Sequence, residues 1–224
     1  KKKTLVSIFI NPTQFNQKKD FKNYPRNIKR DIAILRKLKV TYLFLPEVNE
    51  IYKKKMKNFK LIKSDRILCA KYRKGHFEGV LNVMNRLLLI VKSKHVFMGE
   101  KDFQQYTLIK RILGKKYKIN IVGCPTIRES NSIALSTRNK LLKKSDINIA
   151  SKIAKNLIKL KRLSQNNKLL DLSKYKDEFE RNFKIKIDYL EFRDEKKLKL
   201  NNFKSKYRLF IAYYISGVRL IDNF

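Results

Sequence analysis

What most restricts the fold of this chain is a repeated alternation of short apolar runs with amphipathic helical stretches. Residues 4–10 form a β-branched apolar run closed by Asn11-Pro12, the pattern of a buried strand ended by a turn. After Pro25, the residues Ile28, Ile32, Leu35 and Leu38 recur at spacings of three and four among lysines and arginines, which predicts a helix with one apolar face. Residues 40–45 form a second strand, stopped by Pro46. Strand, helix and strand in so short a span are the rhythm of a parallel βαβ unit.

The rhythm continues. Residues 77–91 read as an apolar helix, 95–98 as a strand ending at Gly99, 102–116 as a helix with lysines at its C-terminal end, and 119–122 as a strand closed by Gly123 and Pro125. The expected fold class is α/β, a doubly wound parallel sheet over residues 1–125. Beyond that the texture changes. Ser145-Asp146 is expected to cap a helix running to Leu163, a polar joint follows at 164–168, and 172–183 is a second helix. Residues 185–192 and 207–214 read as strands with no crossover between them, so 126–224 is expected to form a smaller α+β domain with an antiparallel sheet.

Charge comes next, because 55 Lys+Arg against 19 Asp+Glu give a formal net charge of +36. Such an excess suggests polyanion binding. Here it is mostly lysine, which lacks arginine's bidentate fork, and it is spread along the chain. It also accompanies many Asn and Ile residues, as codon bias from an A/T-rich genome produces. The expectation is therefore no specific nucleic-acid partner. No apolar run approaches the roughly 18 residues of a membrane span, so no membrane partner is expected either. Cys69 and Cys124 read as two buried thiols in a reducing compartment.

In open α/β sheets ligands bind beyond the carboxyl ends of the strands, and three polar segments fall at such places. In Asn11-Pro12-Thr13-Gln14-Phe15, Gln14 offers an amide donor and a carbonyl acceptor to a hydroxy acid; an ordinary turn is the plain alternative. In residues 99–105, Gly99 admits close backbone approach, Lys101 stands at a helix N-terminus suited to phosphate, Asp102 caps that helix or holds a hydrated magnesium, and Gln105 faces the same way. In residues 132–139, adjacent hydroxyls at Ser136 and Thr137 precede Arg138, a grip for phosphate oxygens or simply a polar loop. Arg128 and Glu129, just upstream, could pair with each other. His76 invites acid–base chemistry, but a backbone-bonded residue in the turn before a helix is the stronger reading, and His95 reads as structural.

Together these segments resemble the pantothenate synthetases, the pantoate–β-alanine ligases. The matching stretches are SIFINPTQF (7–15), DFKNYPR (20–26), RKGHFEGV (73–80), GEKDFQQ (99–105), VGCPTIRES (122–130), IALSTRN (133–139) and GVRLIDN (217–223). Lys74 stands where the family usually has proline, and Thr137 where it usually has serine.

The resemblance implies a Rossmann-like domain related to class I aminoacyl-tRNA synthetases, a smaller C-terminal domain, and a cytoplasmic homodimer. It implies that pantoate attacks Mg-ATP to give pantoyl adenylate and pyrophosphate, and that β-alanine then displaces AMP. By the same resemblance Gln14 and Gln105 hold pantoate, with Gln14 also toward β-alanine. Gly99, Glu100, Lys101 and Asp102 contact ATP, Ile127 lines the nucleotide site, and Leu135, Ser136, Thr137 and Arg138 form the loop closing on the phosphates. The cofactors implied are ATP, as substrate, and Mg2+. The family's His-x-Gly-His signature belongs ahead of residue 7. The sequence is therefore expected to be a piece of a longer protein lacking the first strand and helix, and the catalytic residues are left unassigned. A related nucleotidyltransferase and a non-catalytic, basic nucleic-acid-binding protein are the alternatives.

Overall fold

The computed structural model describes residues 2–15, 21–22, 24–53, 55–165, 170–200 and 205–224. Parts of the DFKNYPR match and of the polar joint at 164–168 lie outside them. The chain divides into two compact units, one comprising Lys1–Asp65 with Arg73–Ser93, the other Arg66–Tyr72 with Lys94–Phe224.

In the first unit β1 (Leu5–Ser7) pairs in parallel with β2 (Tyr42–Phe44), with Val6 opposite Leu43. The connection contains α1 (Ile28–Lys37), whose Asn27 side chain accepts the Arg30 N–H as an N-cap. Its apolar stripe is the one expected from the spacing, yet Ile28 and Leu38 remain 48% and 69% exposed. A one-turn helix α2 (Val48–Tyr52) follows Pro46, unannounced by any long periodicity. The buried centre of this unit is α4 (His76–Val91), which buries Phe77, Val80, Leu81, Val83 and Leu88; Ile51 and Leu61 are buried in the same unit. The intervening α3 (Cys69–Tyr72) belongs to the second unit.

The second unit repeats the parallel theme. β3 (His95–Gly99) pairs with β4 (Asn120–Cys124), Val96 opposite Ile121. Between them α5 (Phe103–Ile109) passes through a π-helical turn, Lys110–Gly114, into a final α-turn, Lys115–Tyr117. The described parallel strands thus form two separate two-stranded pairs.

The C-terminal part is an antiparallel sheet of β5 (Lys186–Asp194), β6 (Tyr207–Ile215) and β7 (Val218–Asn223), in that order. The sheet packs on α6 (Lys144–Ser164) and α7 (Leu172–Phe183). The shared core includes Ile153, Leu157, Phe179, Ile187, Leu209 and Ile211.

The N-cap of helix α6 is Lys143, ahead of the expected Ser145-Asp146, while Asp146, inside the first turn, accepts the Lys143 N–H at 3.1 Å and so still caps the helix from its third position. The sequence marks β7 only as a terminal motif, because Arg219, Asp222 and Asn223 interrupt its apolar pattern. It exists as a strand because Ser216 and Gly217, both at positive φ (48° and 78°), make the two-residue turn that matches strand twist.

Lys161 on α6 donates to the Tyr207 carbonyl at 2.7 Å, and its ammonium lies 3.4 Å from the Tyr207 ring centroid. Burial pushes its pKa down to about 8, with Glu195 pulling the other way and Arg208 adding to the drop. Protonated Lys161 therefore opposes folding below about pH 8, and that opposition fades as pH rises toward the ordinary value of 10.5. An NMR titration of 13C-methylated protein should show a lysine resonance with a midpoint near 8; a Lys161 midpoint at about 10 or above would contradict the burial.

Candidate active site

In the first unit the segment after β1 is organised by Asn11, which is 2% exposed. Its Oδ1 accepts from the Thr13 N–H (3.2 Å), the Thr13 hydroxyl (2.9 Å) and the Tyr52 hydroxyl (2.6 Å). Its Nδ2 donates to the Gly79 carbonyl at 3.1 Å. These bonds hold Pro12–Gln14 as a 3-10 turn, in which Gln14 is half-buried. Helix α4 comes so close that a Cβ on Gly79 would stand 2.5 Å from the Thr13 carbonyl oxygen. Gly79→Ala is thus expected to cost about 2 kcal/mol of stability and to shift the Gln14 turn. A urea titration would check it, and an unchanged midpoint would count against this packing.

His76 is buried and hydrogen-bonded on both ring nitrogens. The Arg73 guanidinium can only donate, so Nε2 accepts from Arg73 Nη1 (3.1 Å) and the proton rests on Nδ1, which donates to the Gln14 carbonyl (2.7 Å). Arg73 Nη2 donates to the same carbonyl at 3.3 Å. The histidine therefore positions the glutamine segment, as the backbone-bonded reading expected. His95 is exposed at the start of β3, its Nδ1 3.3 Å from the Asn120 amide nitrogen.

The second unit contains an open cleft whose lining includes Lys101, Ser136, Arg138, Asn139, Arg219 and Asp222. Three residues singled out from sequence, Lys101, Ser136 and Arg138, come together there. Lys101 lies in a 3-10 turn, Glu100–Asp102, between β3 and α5. Its ammonium is 3.8 Å from the half-exposed Asp102 carboxylate. Ser136 caps the turn Thr137–Leu141 by accepting the Arg138 N–H at 3.2 Å. Asn139 donates to the Ala134 carbonyl at 3.1 Å. Leu135 N–H bonds Ile127 O at 2.9 Å, so these two apolar side chains are neighbours across a narrow ladder and stand 52% and 65% exposed. Gln105 is half-buried on α5.

Several residues of the site region were missed. Arg128 does not pair with Glu129. It makes a bidentate pair with Asp222 (2.7 and 2.9 Å), bonds Ser132 O and Asn223 O, and lies over the Phe224 ring at 4.1 Å. Arg219 donates to Asp188 at 2.8 Å and to the Cys69 sulfur at 3.4 Å. Burial would lower the guanidinium's pKa, but the Cys69, Tyr189 and Asp188 partners outweigh it and raise it. The neighbouring Tyr189 phenol, 3.2 Å from the same sulfur, is pushed up by burial. Cys69 is buried and Cys124 only half so, which corrects the expectation for Cys124; both are free thiols. The available signal was the charged and amide residues inside an apolar terminal strand, because a buried charge demands a partner.

Among the described residues no helix is long and apolar enough to cross a membrane. Comparison with known proteins identifies the family. The family model described as pantoate–β-alanine ligase matches residues 1–224. The pantothenate synthetase of Thermosipho melanesiensis is 36% identical over 225 residues, 98% of this chain and 80% of that protein. That of Francisella philomiragia is 40% identical over 226 residues, 99% of this chain and 78% of that protein. Among solved structures, a pantothenate synthetase of Thermus thermophilus superposes with a TM-score of 0.91 at 29% identity, covering 99% of this chain and 83% of that one. The pantoate–β-alanine ligase of Francisella tularensis, solved in complex with β-γ ATP and β-alanine, gives 0.82 at 37% identity, covering all of this chain and 79% of that one. The fold is thus the α/β fold of ATP-using ligases of this type, and the chain belongs to the pantoate–β-alanine ligase family.

Proposed function

We propose that this protein condenses pantoate with β-alanine in two steps. The pantoate carboxylate attacks the α-phosphate of ATP, forming pantoyl adenylate and releasing pyrophosphate. The β-alanine amine then attacks the acyl carbon, breaking the anhydride bond and releasing AMP. The observation that carries this reading is the convergence of Lys101, Ser136 and Arg138 on one cleft of the second unit. Fixed cations and a hydroxyl aimed at a polyphosphate stabilise the charge that develops as pyrophosphate leaves. Ile127 and Leu135 offer an exposed apolar pair suited to a purine face. Gly99 and the backbone of Glu100 and Asp102 border the same turn. Gln14 and Gln105 are assigned to pantoate, Gln14 also toward β-alanine, where amides orient a carboxylate for attack.

Among the described residues no three His, Cys, Asp or Glu side chains gather to hold a metal. Mg2+ carried by the nucleotide needs only one or two protein carboxylates. Asp102, half exposed beside Lys101, would hold it, and bound there it would neutralise phosphate charge. The protein is assigned to the cytoplasm as a homodimer on the pattern of its family.

The deciding assay measures AMP release from ATP with pantoate and β-alanine together and singly. AMP that requires both acids is expected. AMP formed with an unrelated acceptor and indifferent to pantoate would favour a different nucleotidyltransferase.

A further inference from the structure

We infer that Asn223 is a positioning residue for the nucleotide turn, fixing the backbone from which Lys101 projects. This rests on the assignment of Lys101 to the ATP phosphates. Asn223 is the last residue of β7 and is 3% exposed. Its side-chain amide donates to two successive carbonyls of the turn, Glu100 O at 2.9 Å and Lys101 O at 3.0 Å. Both amide hydrogens are thereby used.

The other end of the amide is equally fixed. Its Oδ1 accepts from Arg208 Nη1 at 3.0 Å. The same guanidinium donates to Glu100 Oε2 at 2.7 Å and to Glu195 Oε1 at 3.0 Å, and it lies 4.2 Å from the Phe103 ring centroid. The Asn223 backbone is tied too: its N–H donates to Asp222 Oδ1 at 2.8 Å, and its carbonyl accepts from Arg128 at 3.0 Å. The turn from Glu100 to Phe103 is therefore held by the C-terminal sheet through one amide and one guanidinium.

The chemistry explains why an amide stands there. Two carbonyl oxygens facing one side chain need two hydrogens, and the arginine opposite needs an acceptor. Of the side chains this short, only asparagine supplies both. Removing it leaves two carbonyls near the cleft without these donors and lets the turn shift. Displacements of about 1 Å are enough to cost a hundredfold in rate when they misplace a reacting or charge-stabilising group.

The test compares the intact parent with Asn223→Ala and with Asn223→Asp, which keeps size and the acceptor for Arg208 but loses the donors. Hydrogen exchange without ligand reads the clamp directly. Amides of residues 100–103 should exchange at least about tenfold faster in both variants, while those of the β5–β6 hairpin keep parental protection. Per active site, kcat/KM for ATP should fall by about tenfold or more, with KM for β-alanine within about twofold of the parent.

Unchanged exchange at 100–103 overturns the clamp. Faster exchange with kcat/KM for ATP within about twofold of the parent overturns the positioning role, leaving a merely structural contact. A parent that forms no pantoate-dependent AMP refutes the proposed reaction instead. In that case the exchange data and ATP affinity of the same variants still decide the inference: ATP binding as tight as the parent's despite a loosened turn would overturn it.

Discussion

Lys101→Ala is expected to lower pantoate-dependent AMP formation by about a hundredfold or more at saturating ATP, through lost stabilisation of the charge on departing pyrophosphate. The side chain is about one-fifth exposed, lines the cleft shared with Ser136 and Arg138, and leaves its backbone to be held by Asn223. A cation so little exposed meets less screening than one at the open surface. Lys101→Arg keeps the charge but changes its shape and reach, so it should recover part of the loss and no more. If the alanine variant turns over at close to the parental rate, Lys101 has no part in the chemistry and the cleft must be reassigned.

Arg128→Ala should produce the largest loss of stability of any single substitution considered. Its fork meets Asp222, whose side chain is 8% exposed, in a bidentate pair, while the arginine itself is 22% exposed. Truncation strands a buried carboxylate and removes bonds to two carbonyls. Breaking such pairs costs about 3–5 kcal/mol when both partners are deeply buried, so about 3 kcal/mol is expected here, given the partial exposure of the arginine. Equilibrium urea unfolding, followed by tyrosine fluorescence, would measure it. Arg128→Lys should recover less than half, because one ammonium cannot replace a planar fork that bonds a carboxylate and two carbonyls at once. Parental stability in the lysine variant would show that charge alone suffices.

The two experiments separate chemistry from support. Lys101 should affect turnover with little change in unfolding midpoint, whereas Arg128 should affect the midpoint first. Asn223 stands between them, contacting the turn on one side and the strand on the other.

Much of this was legible in the residues. The helices at 28–37, 76–91, 144–164 and 172–183 follow apolar spacing, and the strand ends at Gly99 and before Pro125 follow turn chemistry. The motif segments themselves mark Lys101, Ser136 and Arg138 as a group. Legibility stopped where the reason was not local. The short helix Val48–Tyr52 lacks the length to show a period, and β7 hides its strand pattern behind residues that are polar because they have distant partners. Arg128 has an acidic neighbour at 129 and an acidic partner 94 residues away, and proximity in sequence favoured the wrong one.

From its residues alone, then, this chain declares its family, most of its order of elements and the polar segments to which chemistry is assigned, because spacing and turn residues act over a few positions. Only the tertiary structure decides which tautomer His76 holds, which carboxylate meets Arg128 and which amide pins the turn of Lys101. The first is made by Arg73 and the Gln14 carbonyl inside the first unit, and the other two where the C-terminal hairpin lies beside segments about a hundred residues earlier. There, each desolvated polar group must find a partner or destabilise the fold.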